Sequence, residues 1–247
     1  MSIEPAFLPG LCSVTFRSID AEQVIALAVE AGARGIEWCS TVHVPPGHLA
    51  TAMRIAAQCR DAGLDLPSYG TYLPARTTSS RTLGAALDTA AALGAPNVRV
   101  WAGRQGSGVA GEADRARVAD AIRAYAALAA ASGITLSIEY HRATLTDTLT
   151  STLDLLRRID HPNCYAYWQP EPGTPLESAA AELRARVGPV APPCLPLAGR
   201  GCSPSTGGGR GLLATAGASA RQGQQICAPT LCVLRVRQKR RSGPVSS

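Results

Sequence analysis

The chain has 247 residues, of which 46% are hydrophobic, enough to bury the core of one α/β domain. The net charge of +6 is unevenly placed: residues 1–182 hold 14 basic and 18 acidic side chains, whereas residues 183–247 hold 10 basic and none acidic. No basic-then-apolar leader opens the sequence and no run of 18 apolar residues exists, which argues against a membrane span and for a cytoplasmic protein; eight cysteines in such a chain read as free thiols.

In chain order, residues 7–17 (Phe7 to Arg17) read as a first strand. Asp20 caps a helix, with Gln23 as its capping-box partner and Val24, Leu27, Ala28 and Ala31 as its apolar stripe. A short strand, Gly35 to Cys39, precedes a polar loop. A second helix runs from about Gly47 to Ala62 and leads into a strand LDLPSYG. A third helix near Ser80 to Leu93 precedes NVRVWAG, and a fourth near Glu112 to Ser132 precedes the strand GITLSIEYHR, from Gly133 to Arg142. A sixth strand is read in Asn163 to Pro170, followed by a last helix, Leu176 to Arg186. The glycines that stop helices are Gly32, Gly63, Gly94 and Gly133, spaced by 31, 31 and 39 residues. That is an internal βα repeat, and it predicts parallel strands joined by right-handed crossovers. No Gly-rich phosphate loop follows the first strand, so a barrel is favoured over a dinucleotide-binding sheet.

Alternation along each strand sorts the side chains. Ile36 and Trp38, Val98 and Val100, and Leu136, Ile138 and Tyr140 are placed against the helices. Glu37, Arg99, Trp101, Glu139, His141 and Gln169 then surround one mouth, with His43 in the loop above. Such an oxygen-rich set with some nitrogen suits a divalent ion such as Mg or Mn better than a thiolate zinc site. Other readings stand beside this one. Glu37 could pair with Arg99 across the barrel, Trp101 could be packing, and His43 could cap a turn.

Five blocks carry a resemblance: GIEW with HVPPG, DAGLDLPSYGTY, LGAPNVRVWAG, SIEYHRATLTDT and YWQP. Over about residues 7 to 186 the chain resembles the sugar phosphate isomerase/epimerase group of the xylose-isomerase-like TIM barrels. The resemblance implies a (β/α)8 barrel, here incomplete, with about six βα units and the last two strands missing or replaced. It further implies a metal-dependent isomerase or epimerase acting on a sugar or sugar phosphate by proton transfer next to a carbonyl. On that basis Glu139 and His141 are the catalytic groups. Glu37, His43, Arg99, Trp101 and Trp168 are substrate contacts, and Glu139 with Gln169 are ligands of a divalent metal (Mn, Mg, Co or Zn). Gln169 stands where many members have an acidic residue, and a neutral amide is a weaker ligand. The alternatives are a non-catalytic sugar-binding barrel remnant and an abasic-site endonuclease-like protein; nucleic acid is not the expected partner.

Residues 187–247 contain no His, Asp or Glu, so they supply neither the His nor the Glu ligand of the family's last strands. The domain division is therefore a partial barrel over 1–186 and a basic, Gly/Pro/Arg-rich tail over 187–247. A shifted reading frame, a disordered basic tail and a metal-binding tail compete to explain the latter. The expected consequences are exposed barrel edges, homodimerisation through them, and impaired turnover.

Overall fold

The computed structural model describes residues 9–167 together with residues 169, 175, 177 and 178. The helix read at Leu176 to Arg186, Trp168 and the tail lie outside these residues, apart from the few positions just named. Six strands make one parallel sheet in sequence order: β1 (Gly10–Cys12), β2 (Gly35–Cys39), β3 (Tyr69–Pro74), β4 (Asn97–Trp101), β5 (Thr135–Ile138) and β6 (Cys164–Ala166). Helices α1 (Ala21–Glu30), α2 (Leu49–Asp61), α3 (Ser80–Leu93), α4 (Glu112–Ala131) and α5 (Leu149–Ile159) fill the crossovers. The sheet curls strongly. The hydroxyl of Tyr167, one residue past β6, donates across the interior to Glu37 Oε2 on β2 at 3.0 Å.

The sheet is covered because one face of every strand is apolar. Ile36, Trp38, Val98, Val100, Leu136 and Ile138 are all fully buried in a common core with Val24, Ala28, Ile55, Leu83, Ala86 and Ile122 of the helices. The opposite faces turn polar side chains inward. Asn97 near the bottom of the curl accepts from Thr135 Oγ1 at 2.9 Å and Ser137 Oγ at 2.7 Å, and it donates to the Tyr167 hydroxyl at 3.0 Å. Buried polar groups need partners, and here they find one another.

Helix ends follow local chemistry. The Asp20–Gln23 capping box is present on both sides, and Ser79 and Thr148 cap α3 and α5 with their hydroxyls. Gly32, Gly63, Gly94 and Gly133 all take φ between 68° and 73°, the left-handed conformation that ends a helix at no steric cost.

Three expectations are corrected. Among the described residues the first strand pairs only over Gly10–Cys12; Ser13–Phe16 winds into a 3-10 turn, and the Ser13 hydroxyl accepts from the Cys39 backbone instead. The third strand lies later than LDLPSYG: Asp65 makes an isolated bridge to Gly35, Pro67 has no N–H to give a ladder, and pairing begins at Tyr69. The helix α5 went unread because Asp160, with φ 39°, and not a glycine, closes it.

Candidate active site

The polar faces of the strands converge on Arg99 of β4. Its Nε donates to Glu37 Oε1 at 3.1 Å, and its Nη1 pairs with Glu139 Oε2. Glu37 lies 2% exposed and is gripped from all sides: Ser68 Oγ donates to Oε2 at 2.5 Å, the Tyr167 hydroxyl to the same oxygen at 3.0 Å, and the Cys12 thiol to Oε1 at 3.1 Å. Burial alone would raise the Glu37 pKa. The Arg99 charge and the three hydrogen bonds outweigh it, so the carboxyl sits below its usual range. Tyr167 and Cys12 go the other way: burial, then the charge of Glu37, pushes both well above their ordinary values and keeps them as neutral donors. For Arg99, burial opposes its charge, but Glu37 together with Cys12, Tyr72 and Tyr167 outweighs that penalty, leaving its pKa raised.

Above this floor sits a half-buried rim. Glu139, one residue past β5, still bonds its backbone N–H to Val100 O at 2.9 Å and keeps a side chain 16% exposed. Trp101 Nε1 donates to the same Oε2 at 2.5 Å. The Trp101 ring stacks on His141 with centroids 4.7 Å apart and meets Tyr72 edge-on at 5.4 Å. The Arg99 guanidinium also lies over the Tyr72 ring, 5.2 Å from its centroid. Burial, countered in part by Arg99, pushes the Tyr72 phenol up to about 12.

The loop after β5 holds this arrangement. Thr146 Oγ1 donates to Glu139 O at 2.5 Å, Thr144 Oγ1 to His141 O at 2.7 Å, and the His141 N–H to Thr146 O at 3.2 Å. His141 thus reaches the rim on a loop; the ladder itself ends at Ile138.

The residues singled out from sequence are distributed as follows. Glu37, Arg99, Trp101, Glu139 and His141 come together, Glu37 and Arg99 as floor and the other three as rim. The Glu37–Arg99 pair, the second reading of those two residues, is present. Gln169 is adjacent, its amide nitrogen donating to Tyr140 O. His43 is not drawn in: it is buried, with Nε2 3.2 Å from Ile19 O and its ring edge-on to Trp38 at 5.5 Å. Trp168 lies outside the described residues. Sequence reasoning gave no role to Ser68, Tyr72, Cys12 or Tyr167. The signal for Tyr167 was its parity with Gln169.

A divalent metal requires converging donors. Among the described residues no group of three or more His, Cys, Asp or Glu side chains could hold one. Glu139 Oε2 is already engaged by Arg99 and Trp101, and the Gln169 amide nitrogen by a carbonyl. These two residues alone do not fit a complete centre, which needs about four to six ligands.

Parallel strands with crossover helices and a carboxylate-bearing rim at the strands' carboxyl ends define a TIM-barrel-type scaffold. The chain belongs to the xylose isomerase-like TIM barrel family, whose sequence pattern matches residues 25–170. It is 29% identical over 164 residues to a 3-dehydroshikimate dehydratase of Bacillus anthracis, covering 62% of this chain and 58% of that protein. Among solved structures it resembles the probable 3-DHS dehydratase AsbF, involved in petrobactin synthesis, from the same organism: TM-score 0.59, 27% identity, 65% of this chain and 62% of that one. It also resembles the D-allulose 3-epimerase of Methylomonas sp., with TM-score 0.53 and 21% identity over 67% of this chain and 64% of that one, a likeness of fold alone. The chain therefore spans about three fifths of the length of these relatives. Among the described residues no helix is long and apolar enough to cross a membrane.

Proposed function

We propose that this chain carries the acid/base centre of an enzyme that moves a proton at a carbon next to a carbonyl, on a sugar, a sugar phosphate or a related polyhydroxylated keto compound. One observation carries the reading: Glu139 is partly exposed at the carboxyl end of β5 while Arg99 and Trp101 hold one of its oxygens. A carboxylate fixed in this way keeps its second oxygen to take the proton, and the C–H electron pair forms the new C=C bond while the carbonyl oxygen takes up the negative charge, giving an enediolate. His141, on the other side of Trp101, is the second group within the rim suited to returning a proton. Returning it to the neighbouring carbon is isomerisation, and returning it to the opposite face is epimerisation.

The finer form of this reading, a metal-dependent isomerase or epimerase, requires ligands beyond Glu139 and Gln169. Residues 187–247 hold no His, Asp or Glu to complete such a set, so low turnover is expected from this chain. A second reading shares the first proton step and then expels the hydroxyl group on the next carbon, which is dehydration. It is favoured by the similarity to the dehydratase, at 29% and 27% identity, above that to the epimerase.

Incubation with D-allulose, L-ribulose and 3-dehydroshikimate separates the two, with products read by chromatography and by the ultraviolet absorbance of an unsaturated acid. Epimer or isomer formation supports the first reading and water loss the second. In either case Glu139→Gln should lower the rate by roughly two to four orders of magnitude, the usual share of acid/base catalysis. An unchanged rate in that variant contradicts both.

A further inference from the structure

Gly70 is the ladder partner of Arg99 on one side and of Cys39 on the other. Its φ is not positive, so the backbone does not require glycine there. Space does: a Cβ at Gly70 would stand 2.7 Å from Arg99 Nη2 and 2.7 Å from Glu37 Oε1. The bare Cα of Gly70 is the gap through which the guanidinium passes to reach both carboxylates. Both clashing atoms are ends of long side chains, so an added methyl displaces the ion pair and not the sheet.

We propose that Gly70 and Glu37 are positioning residues that aim Arg99 at Glu139. Glu37, at 2% exposure, has no surface to offer a substrate. What it does have is a fixed place, set by Ser68, Tyr167 and Cys12, and a bond to the Arg99 Nε at 3.1 Å. Holding Nε there fixes the plane of the guanidinium, and with it the direction of the Nη1 that pairs with Glu139. The device acts through Arg99 and touches neither the rim nor the substrate. It rests on the reading of Glu139 as the working carboxylate, but its test needs no substrate, so a failure of aim and a failure of turnover are told apart.

The probe is the Trp101 indole N–H, which donates to Glu139 Oε2 and is not among the atoms a Cβ at Gly70 would meet first. The full chain, labelled with nitrogen-15, has three tryptophans; the Trp101 resonance is identified by its loss in Trp101→Phe. In Gly70→Ala the resonance should move upfield as Glu139 shifts away from its anchored place, while that of Trp38, on the helix side of β2, stays where it is. Ser68→Ala removes one of the bonds that hold Glu37 and should move the same resonance in the same direction by less; it carries the test should Gly70→Ala fail to fold. A Trp101 resonance that stays fixed in a folded variant, with stability lowered or not, means that these residues only pack, and overturns the proposal.

Discussion

Glu37 and Arg99 are the residues on which stability and site most plainly meet. Each is almost fully enclosed, and removing one charge from a buried pair leaves the other uncompensated, at a cost of about 3–5 kcal/mol. Arg99→Met is therefore expected to lower the unfolding free energy by that amount in a urea titration, far more than a surface arginine such as Arg54, whose pair with Glu22 is exposed. The pH dependence has a definite sign. Because the folded-state pKa of Glu37 is depressed, its contribution is complete above the ordinary carboxylate range and is lost as pH falls through the lowered value. Glu37→Gln should flatten the acid limb of the stability curve, measured by urea unfolding between about pH 7 and about pH 3. Much of this centre was legible in the sequence, since strand parity alone put Glu37, Arg99, Trp101 and Glu139 on one side. His43 was not, because a loop side chain obeys no period: a turn over residues 40–43, closed by the Val44 N–H on Cys39 O at 3.2 Å, brings it to the Ile19 carbonyl. Ser68 escaped because it stands just before β3, where alternation has yet to begin.

At the level of elements, what could be read was whatever had its own local chemistry. The Asp20 box and the four left-handed glycines each fix a boundary through neighbours a few residues away. Strand ends were harder, because pairing depends on a partner some thirty residues off and on which backbone groups are already used, as at Ser13 and Pro67. The end of α5 is the informative exception. Asp160 holds φ 39°, where an L side chain costs about 1–2 kcal/mol relative to a right-handed residue and Asp is better tolerated than most. Asp160→Gly should raise the unfolding free energy by a fraction of that, about 0.5 kcal/mol, and a loss of stability in thermal melts would show that the carboxylate has a compensating role. At the other extreme Leu136→Ala, at a fully buried position beneath helices on β5, should cost about 2–5 kcal/mol.

For the whole molecule, the family fold is established over residues 25–170, and the six strands curl enough for β6 to reach β2 through Tyr167. The domain division at residue 186 and the nature of the basic stretch beyond it are proposals that rest on composition: ten basic and no acidic side chains over residues 183–247 do not belong to the same pattern as the barrel units. With β1 and β6 as the outer strands of the described sheet, pairing of two copies along those edges is the expected mode of self-association. Sedimentation equilibrium should give a dimer, and a monomer at all concentrations would dispose of that expectation.

The claim on which the functional account turns is that Glu139 takes a proton from a carbon beside a carbonyl. The half-reaction can be watched without completed turnover, by incubating the full chain with a ketose or with 3-dehydroshikimate in deuterated water and following the α-proton by NMR. Loss of that proton signal with the wild-type chain, and its retention with Glu139→Gln, is the predicted result. Equal exchange in the two proteins, or none above the buffer rate in the wild type, would contradict it.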